Sequence, residues 1–103
     1  MKFYKNLYIG ESIKNPNKVR WKLRRNAGQL NIYVIVLSSA NDQLELYHCA
    51  FLKQKYYKKH PPYIIGIAGG YDEAVSLVVE LVQTAVEKNG DPDLKKFLFQ
   101  EAE

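Results

Sequence analysis

The chain has few of the residues that build disulfides or metal sites. It contains one cysteine, Cys49, and two histidines, His48 and His60, among 103 residues. A single cysteine excludes an intramolecular disulfide, and the set is too small for a zinc site of the Cys/His type. The sequence therefore predicts no metal and no cofactor.

Long apolar runs are absent as well. No stretch approaches the roughly 18 consecutive apolar residues that a membrane span requires, and residues 1–10 lack the apolar core of a signal peptide. We therefore expect a cytoplasmic protein without membrane contact. With 47% hydrophobic and 25% charged residues, the chain suits one folded domain over residues 1–103.

Charge is unevenly distributed along the chain. Residues 1–60 carry twelve Lys/Arg and three acids, a net charge of +9, whereas residues 61–103 carry three lysines and eight acids, a net charge of −5. This asymmetry indicates either a basic face for an anionic partner, or two halves that attract each other or a second copy. Neither interpretation defines a reaction.

The first quarter of the chain predicts a strand and a helix. Residues 2–9 are aromatic and aliphatic and stop at Gly10, which is typical of a strand and a turn. Asn15 and Pro16 suit the N-cap and first position of a helix of about ten residues, and Gly28 suits its left-handed C-terminus. The predicted inner stripe of this helix is Val19, Leu23 and Ala27.

Three more strands are predicted in the middle of the chain. Residues 30–37 are apolar on both faces, which is typical of a central strand. Residues 44–52 follow a polar turn at 41–43 and predict its antiparallel hairpin partner. Residues 53–60 predict an exposed loop, and residues 63–67 a further strand.

Helical periodicity governs the last part of the chain. Residues 71–88 predict a helix that ends at Asn89-Gly90, with an apolar arc of about 200°, twice what a surface helix needs. We expect the outer stripe, Val75, Val79 and Val86, to be covered by a last helix starting at Asp91-Pro92 or by a second subunit. The order β-α-β-β-β-α-α places the chain in the α+β class, as a small, mostly antiparallel sheet with helices packed on it.

Two segments invite a catalytic or ligand-binding interpretation. The glycine-rich run at 66–70 follows a strand and opens a helix, where such loops bind phosphate, but the motif is incomplete and Asp72 and Glu73 would repel an anion. A tight turn is favoured over an anion site.

Cys49 and its neighbour His48 point to opposite faces of a strand, so only His60 could activate this thiol, and a lone strand cysteine is usually buried. We predict no catalytic residue and no enzymatic activity.

Basic residues interleaved with aromatic rings form the strongest functional signal. Such elements combine charges that attract phosphate with rings on which bases stack. Alternatively, Trp21 and Tyr57 pack at the margin of the core, and the basic residues maintain solubility or pair with the acidic C-terminal helices. The candidate surface comprises Arg20, Lys22, Arg24 and Arg25 in the first helix and Lys53, Lys55, Tyr56, Lys58 and Lys59 in the loop.

Two resemblances accompany these patterns. The order helix, three strands, helix from Pro16 to Lys88 resembles the double-stranded-RNA-binding domain in topology and length. That family has a lysine-rich start to its closing helix, where this chain has Tyr-Asp-Glu-Ala at 71–74, so the resemblance implies none of the family's RNA-binding residues. Residues 55–84, from Lys-Tyr-Tyr-Lys-Lys through Gly-Ile-Ala-Gly-Gly-Tyr-Asp-Glu-Ala, resemble short uncharacterised bacterial proteins, which implies a bacterial cytoplasmic origin and no known activity.

These observations lead to one expectation and one alternative. We expect a non-enzymatic interaction module that binds a protein partner or itself as a homo-oligomer. The alternative is a nucleic-acid-binding module that uses the first helix and the Lys53–Lys59 loop. The deciding observation is whether the two basic elements form one continuous face, which favours the alternative, or lie on opposite sides, which removes it.

Overall fold

The computed structural model describes residues 2–25, 27–37 and 44–90, together with Leu98. Its four strands are β1 (Lys2–Ile9), β2 (Tyr33–Leu37), β3 (Leu44–His48) and β4 (Tyr63–Ala68). Its helices are α1 (Pro16–Arg24), α2 (Lys55–Lys59) and α3 (Tyr71–Asn89), with a 3₁₀ helix at Cys49–Lys53. The predicted α+β class is confirmed. The turn at 41–43 and, apart from Leu98, the predicted last helix lie outside the described residues.

The four strands form one sheet in the order β1-β4-β2-β3. β2 pairs antiparallel with both β3 and β4, whereas β1 pairs parallel with β4. The prediction of a mostly antiparallel sheet with β2 inside it is therefore confirmed. On β4, Ile64 and Gly66 pair with the consecutive residues Val36 and Ile35, so Ile65 is the extra residue of a bulge.

The sheet separates two apolar clusters, and these clusters locate the helices. The first contains Tyr4, Ile35, Leu37, Ile65, Leu81, Ala85 and Leu98, so α3 packs on this face. The second contains Leu23, Val34, Val36, Cys49, Leu52, Ile64 and Ile67, with Val19 and Tyr57 packed against it. α1, the 3₁₀ helix and α2 therefore share the opposite face, which we call the α1 face.

The structure corrects two boundaries in the first half. β2 begins at Tyr33 and not at residue 30, because Asn31 has φ 56°, a left-handed conformation that interrupts an extended chain. Leu30 is consequently 91% exposed. α1 ends at Arg24, and Arg25 closes it by donating its N–H to helix carbonyls, so Gly28 is not the C-terminal residue that the sequence predicts.

The segment after β2 also differs from prediction. β3 ends at His48 and not at residue 52, because Nδ1 of His48 accepts the N–H of Ala50 at 3.1 Å and starts the 3₁₀ helix. The predicted loop at 53–60 contains helix α2, which turns Tyr57 toward the sheet. The lysines of this segment remain exposed, as expected for the loop.

α3 follows the prediction closely. It extends to Asn89, and Gly90 closes it with φ 74° while its N–H donates to the Val86 carbonyl at 2.8 Å. Leu98 packs on the sheet side of α3, beside Leu81 and Ala85. Among the described residues nothing covers the outer stripe, and Val75, Val79 and Val86 are 38%, 50% and 42% exposed.

Candidate nucleic-acid interface

α1 presents a basic and aromatic surface to solvent. Oδ1 of Asn15 accepts the N–H of Lys18 at 3.1 Å and caps the helix, while Leu23 is buried beneath it. Arg24 holds its guanidinium 4.8 Å from the centroid of the Phe3 ring, which ties the helix to β1. Arg25 lies 4.8 Å over Trp21, a ring that is 56% exposed. Trp21 therefore does not belong to the core margin.

The second basic element runs from the 3₁₀ helix through α2. Its four lysines, Lys53, Lys55, Lys58 and Lys59, are all exposed. The two tyrosines of α2 divide between core and solvent. Tyr57 packs against Tyr47 of β3 with ring centroids 6.0 Å apart, whereas Tyr56 is 60% exposed. This element thus joins a core anchor to an exposed ring and four cations.

The two basic elements meet at the end of α1. A small cavity of about 70 Å³ lies between them, lined by Leu23 and Gly28 on one side and by Leu52 and Lys53 on the other. A Cβ at Gly28 would lie 3.9 Å from Nζ of Lys53. α1, the 3₁₀ helix and α2 all pack against the same face of the sheet, so both basic elements lie on that side and not on opposite sides.

The acidic helix α3 lies on the other side of the sheet. α3 carries Asp72, Glu73, Glu80 and Glu87 and packs against the face opposite α1. Within the described ranges, no basic residue of α1, the 3₁₀ helix or α2 forms an ion pair with a carboxylate. Arg20 donates to Oδ1 of Asn17, a neutral amide. Within the described residues, the basic residues of α1, the 3₁₀ helix and α2 thus lie on one side of the sheet and the acids of α3 on the other.

A groove beside α1 extends the basic surface. It has a volume of about 500 Å³ and is lined by Lys14, Lys18 and Lys22 together with the segment from Gly28 to Leu30. Lys14 and Lys18 were not among the candidate residues. Lys18 lies four residues before Lys22 in α1, and this spacing, which aligns the two lysines along one side of the helix, is the signal that identifies it. Lys14 precedes the helix, so no helical spacing identifies it.

The glycine-rich turn holds a carboxylate of the chain itself. Glu73 accepts hydrogen bonds from the N–H of Gly69 at 2.7 Å, from the N–H of Ser12 at 3.1 Å and from Oγ of Ser12 at 2.9 Å. These bonds, above all the one from Gly69, hold the pKa of the Glu73 carboxyl below its usual value. Glu73 therefore occupies a donor that a phosphate would need, which supports the tight-turn interpretation.

Cys49 lies at the start of the 3₁₀ helix and is 7% exposed. Its Sγ donates to the Gln29 carbonyl at 3.5 Å, and burial raises the pKa of the thiol. Within the described residues, neither histidine is hydrogen-bonded to Cys49. His48 accepts the Ala50 N–H, and the His60 ring lies against Tyr56 at a tilt of 31° with ring centroids 4.7 Å apart.

We predict that a thiol reagent labels Cys49 slowly in the native protein and rapidly in denaturant. Burial limits access, and the raised pKa reduces the thiolate fraction that reacts. Mass spectrometry over a time course at neutral pH measures both rates. Equally rapid labelling in both states would show an accessible, reactive thiol and would reopen a nucleophile at this position.

Comparisons provide no functional assignment. No protein-family model, curated protein or solved structure matches the chain. Across the residues that the structure describes, no helix is long and apolar enough to cross a membrane, and no group of three or more His, Cys, Asp or Glu is arranged to hold a metal ion. The functional argument therefore rests on the geometry of the α1 face.

Proposed function

We propose that this protein is a non-enzymatic module that binds single-stranded nucleic acid on its α1 face in the cytoplasm. The observation that supports the proposal is the placement of both basic elements on one face of the sheet, with the acidic helix α3 on the other. This is the arrangement that favours nucleic acid over the first expectation of a protein partner.

Electrostatics explains why this face suits a phosphate backbone. The exposed cations along α1 and α2 are not neutralised by the chain's own carboxylates within the described ranges, so a polyanion can release counterions by binding them. The acids of α3 lie across the sheet and repel a backbone there. A nucleic-acid strand would therefore bind on the α1 face.

The exposed rings favour single strands over duplexes. Trp21, Phe51 and Tyr56 are 56%, 50% and 60% exposed on the elements that carry the cations. Unpaired bases stack on such rings with little dependence on sequence, whereas the bases of a duplex are already stacked on each other. Cations for the backbone and rings for the bases thus lie side by side.

Binding of a fluorescent single-stranded RNA or DNA, followed by anisotropy across a salt series, tests the proposal. With four to six phosphate contacts we expect micromolar affinity near physiological salt and a slope of about −3 to −4 in log K against log salt, at about 0.7 per contact for single strands. Duplexes of the same length should bind more weakly. Affinity no tighter than about 100 μM for every nucleic acid, the weak end of non-specific association, would contradict the proposal.

Self-association or binding of a protein partner is the second candidate. The observation in its favour is the exposed stripe of Val75, Val79 and Val86 on α3, on the face opposite the basic surface. Self-association would appear in analytical ultracentrifugation, in the absence of nucleic acid, as an average mass that increases with protein concentration. The two functions use different faces, so one does not exclude the other.

A further inference from the structure

An aromatic pocket opens on the α1 face between β3 and α2. It has a volume of about 310 Å³, within the range of pockets that hold small ligands. Four of the five aromatic residues that line it contact each other in series. Tyr47 contacts Tyr57 with ring centroids 6.0 Å apart, Tyr57 contacts Tyr56 at 5.1 Å and Tyr56 contacts His60 at 4.7 Å. The rings differ in orientation, with 86° between the planes of Tyr56 and Tyr57 and 31° between those of Tyr56 and His60.

One carboxylate also lines this pocket among the described residues, that of Glu45. Glu45 lies two residues before Tyr47 on β3, so both side chains point to the α1 face. Its charge is felt inside the pocket, because the pKa of Tyr57 is raised first by burial and then by Glu45. The pocket therefore combines stacking surface with one strong hydrogen-bond acceptor.

We infer that this pocket binds a guanine base. Guanine carries two adjacent donors, N1–H and the 2-amino group, which run parallel and match the two oxygens of the Glu45 carboxylate, as an arginine fork does. Adenine, cytosine and uracil each place an acceptor beside the donor on that edge, which a carboxylate repels. The ring ladder from Tyr47 to His60 supplies stacking for a purine.

The surroundings of the pocket favour a nucleotide over an organic cation. Aromatic rings with a carboxylate also suit quaternary ammonium groups. Here, however, the pocket adjoins α2, whose exposed Lys55, Lys58 and Lys59 repel a cation and attract the phosphate attached to a base. The guanine can belong to a strand or to a free nucleotide. Its place in a strand rests on the proposed function, whereas its binding as a free nucleotide does not.

Two octanucleotides measure the base preference within a strand. One is oligouridylate, and the other differs by a single central guanine, which avoids the quadruplexes that guanine runs form. We expect the guanine-containing strand to bind about tenfold more tightly, within the range of one bidentate contact to a base. Equal micromolar affinity for both strands would leave the proposed function standing and overturn the guanine pocket.

A matched pair of variants locates the preference. In Glu45→Ala the tenfold preference should disappear while oligouridylate still binds, because the rings and lysines remain. Glu80→Ala removes the same charge from an exposed position of α3, across the sheet, and should keep the preference. A preference that survives in Glu45→Ala would place guanine elsewhere and overturn the inference.

Free nucleotides test the pocket independently of any strand. Titration of the wild-type protein with guanosine monophosphate should shift the ring resonances of Tyr47, Tyr56 and Tyr57 in NMR spectra, and uridine monophosphate should shift them little. Shifts with guanosine monophosphate but no oligonucleotide binding would support the pocket with a free nucleotide as its ligand and contradict the proposed function. Absence of these shifts with guanosine monophosphate would overturn the pocket, whatever the strands do.

Discussion

Replacing Leu98 by alanine is expected to lower the free energy of unfolding by about 2–5 kcal/mol, the range for truncating a fully buried leucine. Leu98 is 0% exposed and belongs to the cluster between the sheet and α3 that also contains Tyr4, Ile35 and Leu81. The Tyr4 hydroxyl donates to the Leu98 carbonyl at 3.1 Å, so the same residue also holds a strand through its backbone. Alanine at this position leaves a cavity where β1, β2, β4 and α3 meet.

Denaturant unfolding followed by circular dichroism measures this loss. A domain of this size has a total stability of about 5–15 kcal/mol, so the variant should lose a large share of it. Leu30→Ala is the matched control, because Leu30 is 91% exposed and the same change there should cost less than about 0.5 kcal/mol. Equal effects at both positions would show that Leu98 does not contribute to the core.

Ending the chain after Gly90 removes Leu98 altogether and should cause self-association through the uncovered core.

Local patterns predicted the elements that depend on neighbouring residues. The helical period from residue 71 and the glycine at 90 defined α3 to within one residue, because both the apolar spacing and the left-handed C-cap are local properties. The apolar faces of Val34 to Leu37 likewise identified an inner strand. Leu30 was wrongly assigned to a strand, because the alternation of side chains does not reveal the left-handed conformation of Asn31. Residues 53–60 were wrongly assigned to a loop, because a five-residue helix has too few positions to show a helical period.

The candidate site depended on information that local patterns do not contain. The basic residues were identified by type, but their placement on one face follows from the sheet order β1-β4-β2-β3 and from which face each helix covers. The sheet order and the face that each helix covers both depend on long-range contacts, such as the packing of Leu23, Cys49 and Leu52 against one another. The pocket at Glu45 was missed for the same reason, because β3 and α2 approach each other only in the folded chain.

Removing charge from both basic elements is expected to abolish most of the proposed nucleic-acid binding. The doubles Arg24→Ala/Arg25→Ala and Lys58→Ala/Lys59→Ala each delete two cations. Each should reduce the salt slope for single strands by about 1.4 and the affinity near physiological salt by about tenfold, and the quadruple variant should show the sum, about 2.8 and a hundredfold. Additivity is the informative result, because it requires both elements to hold the same strand.

Stability must be followed beside affinity in this series. Arg24 packs over Phe3, so its loss should cost about 0.5–1 kcal/mol through the lost contact between cation and ring, whereas the two exposed lysines of α2 should cost almost nothing. Lys88→Ala, on α3 across the sheet, is the control for net charge and should leave the slope nearly unchanged. If the quadruple variant keeps its fold and its wild-type salt slope, the α1 face is not the binding surface. If only one double lowers the slope, the strand contacts that element alone and the two basic elements do not act as one face.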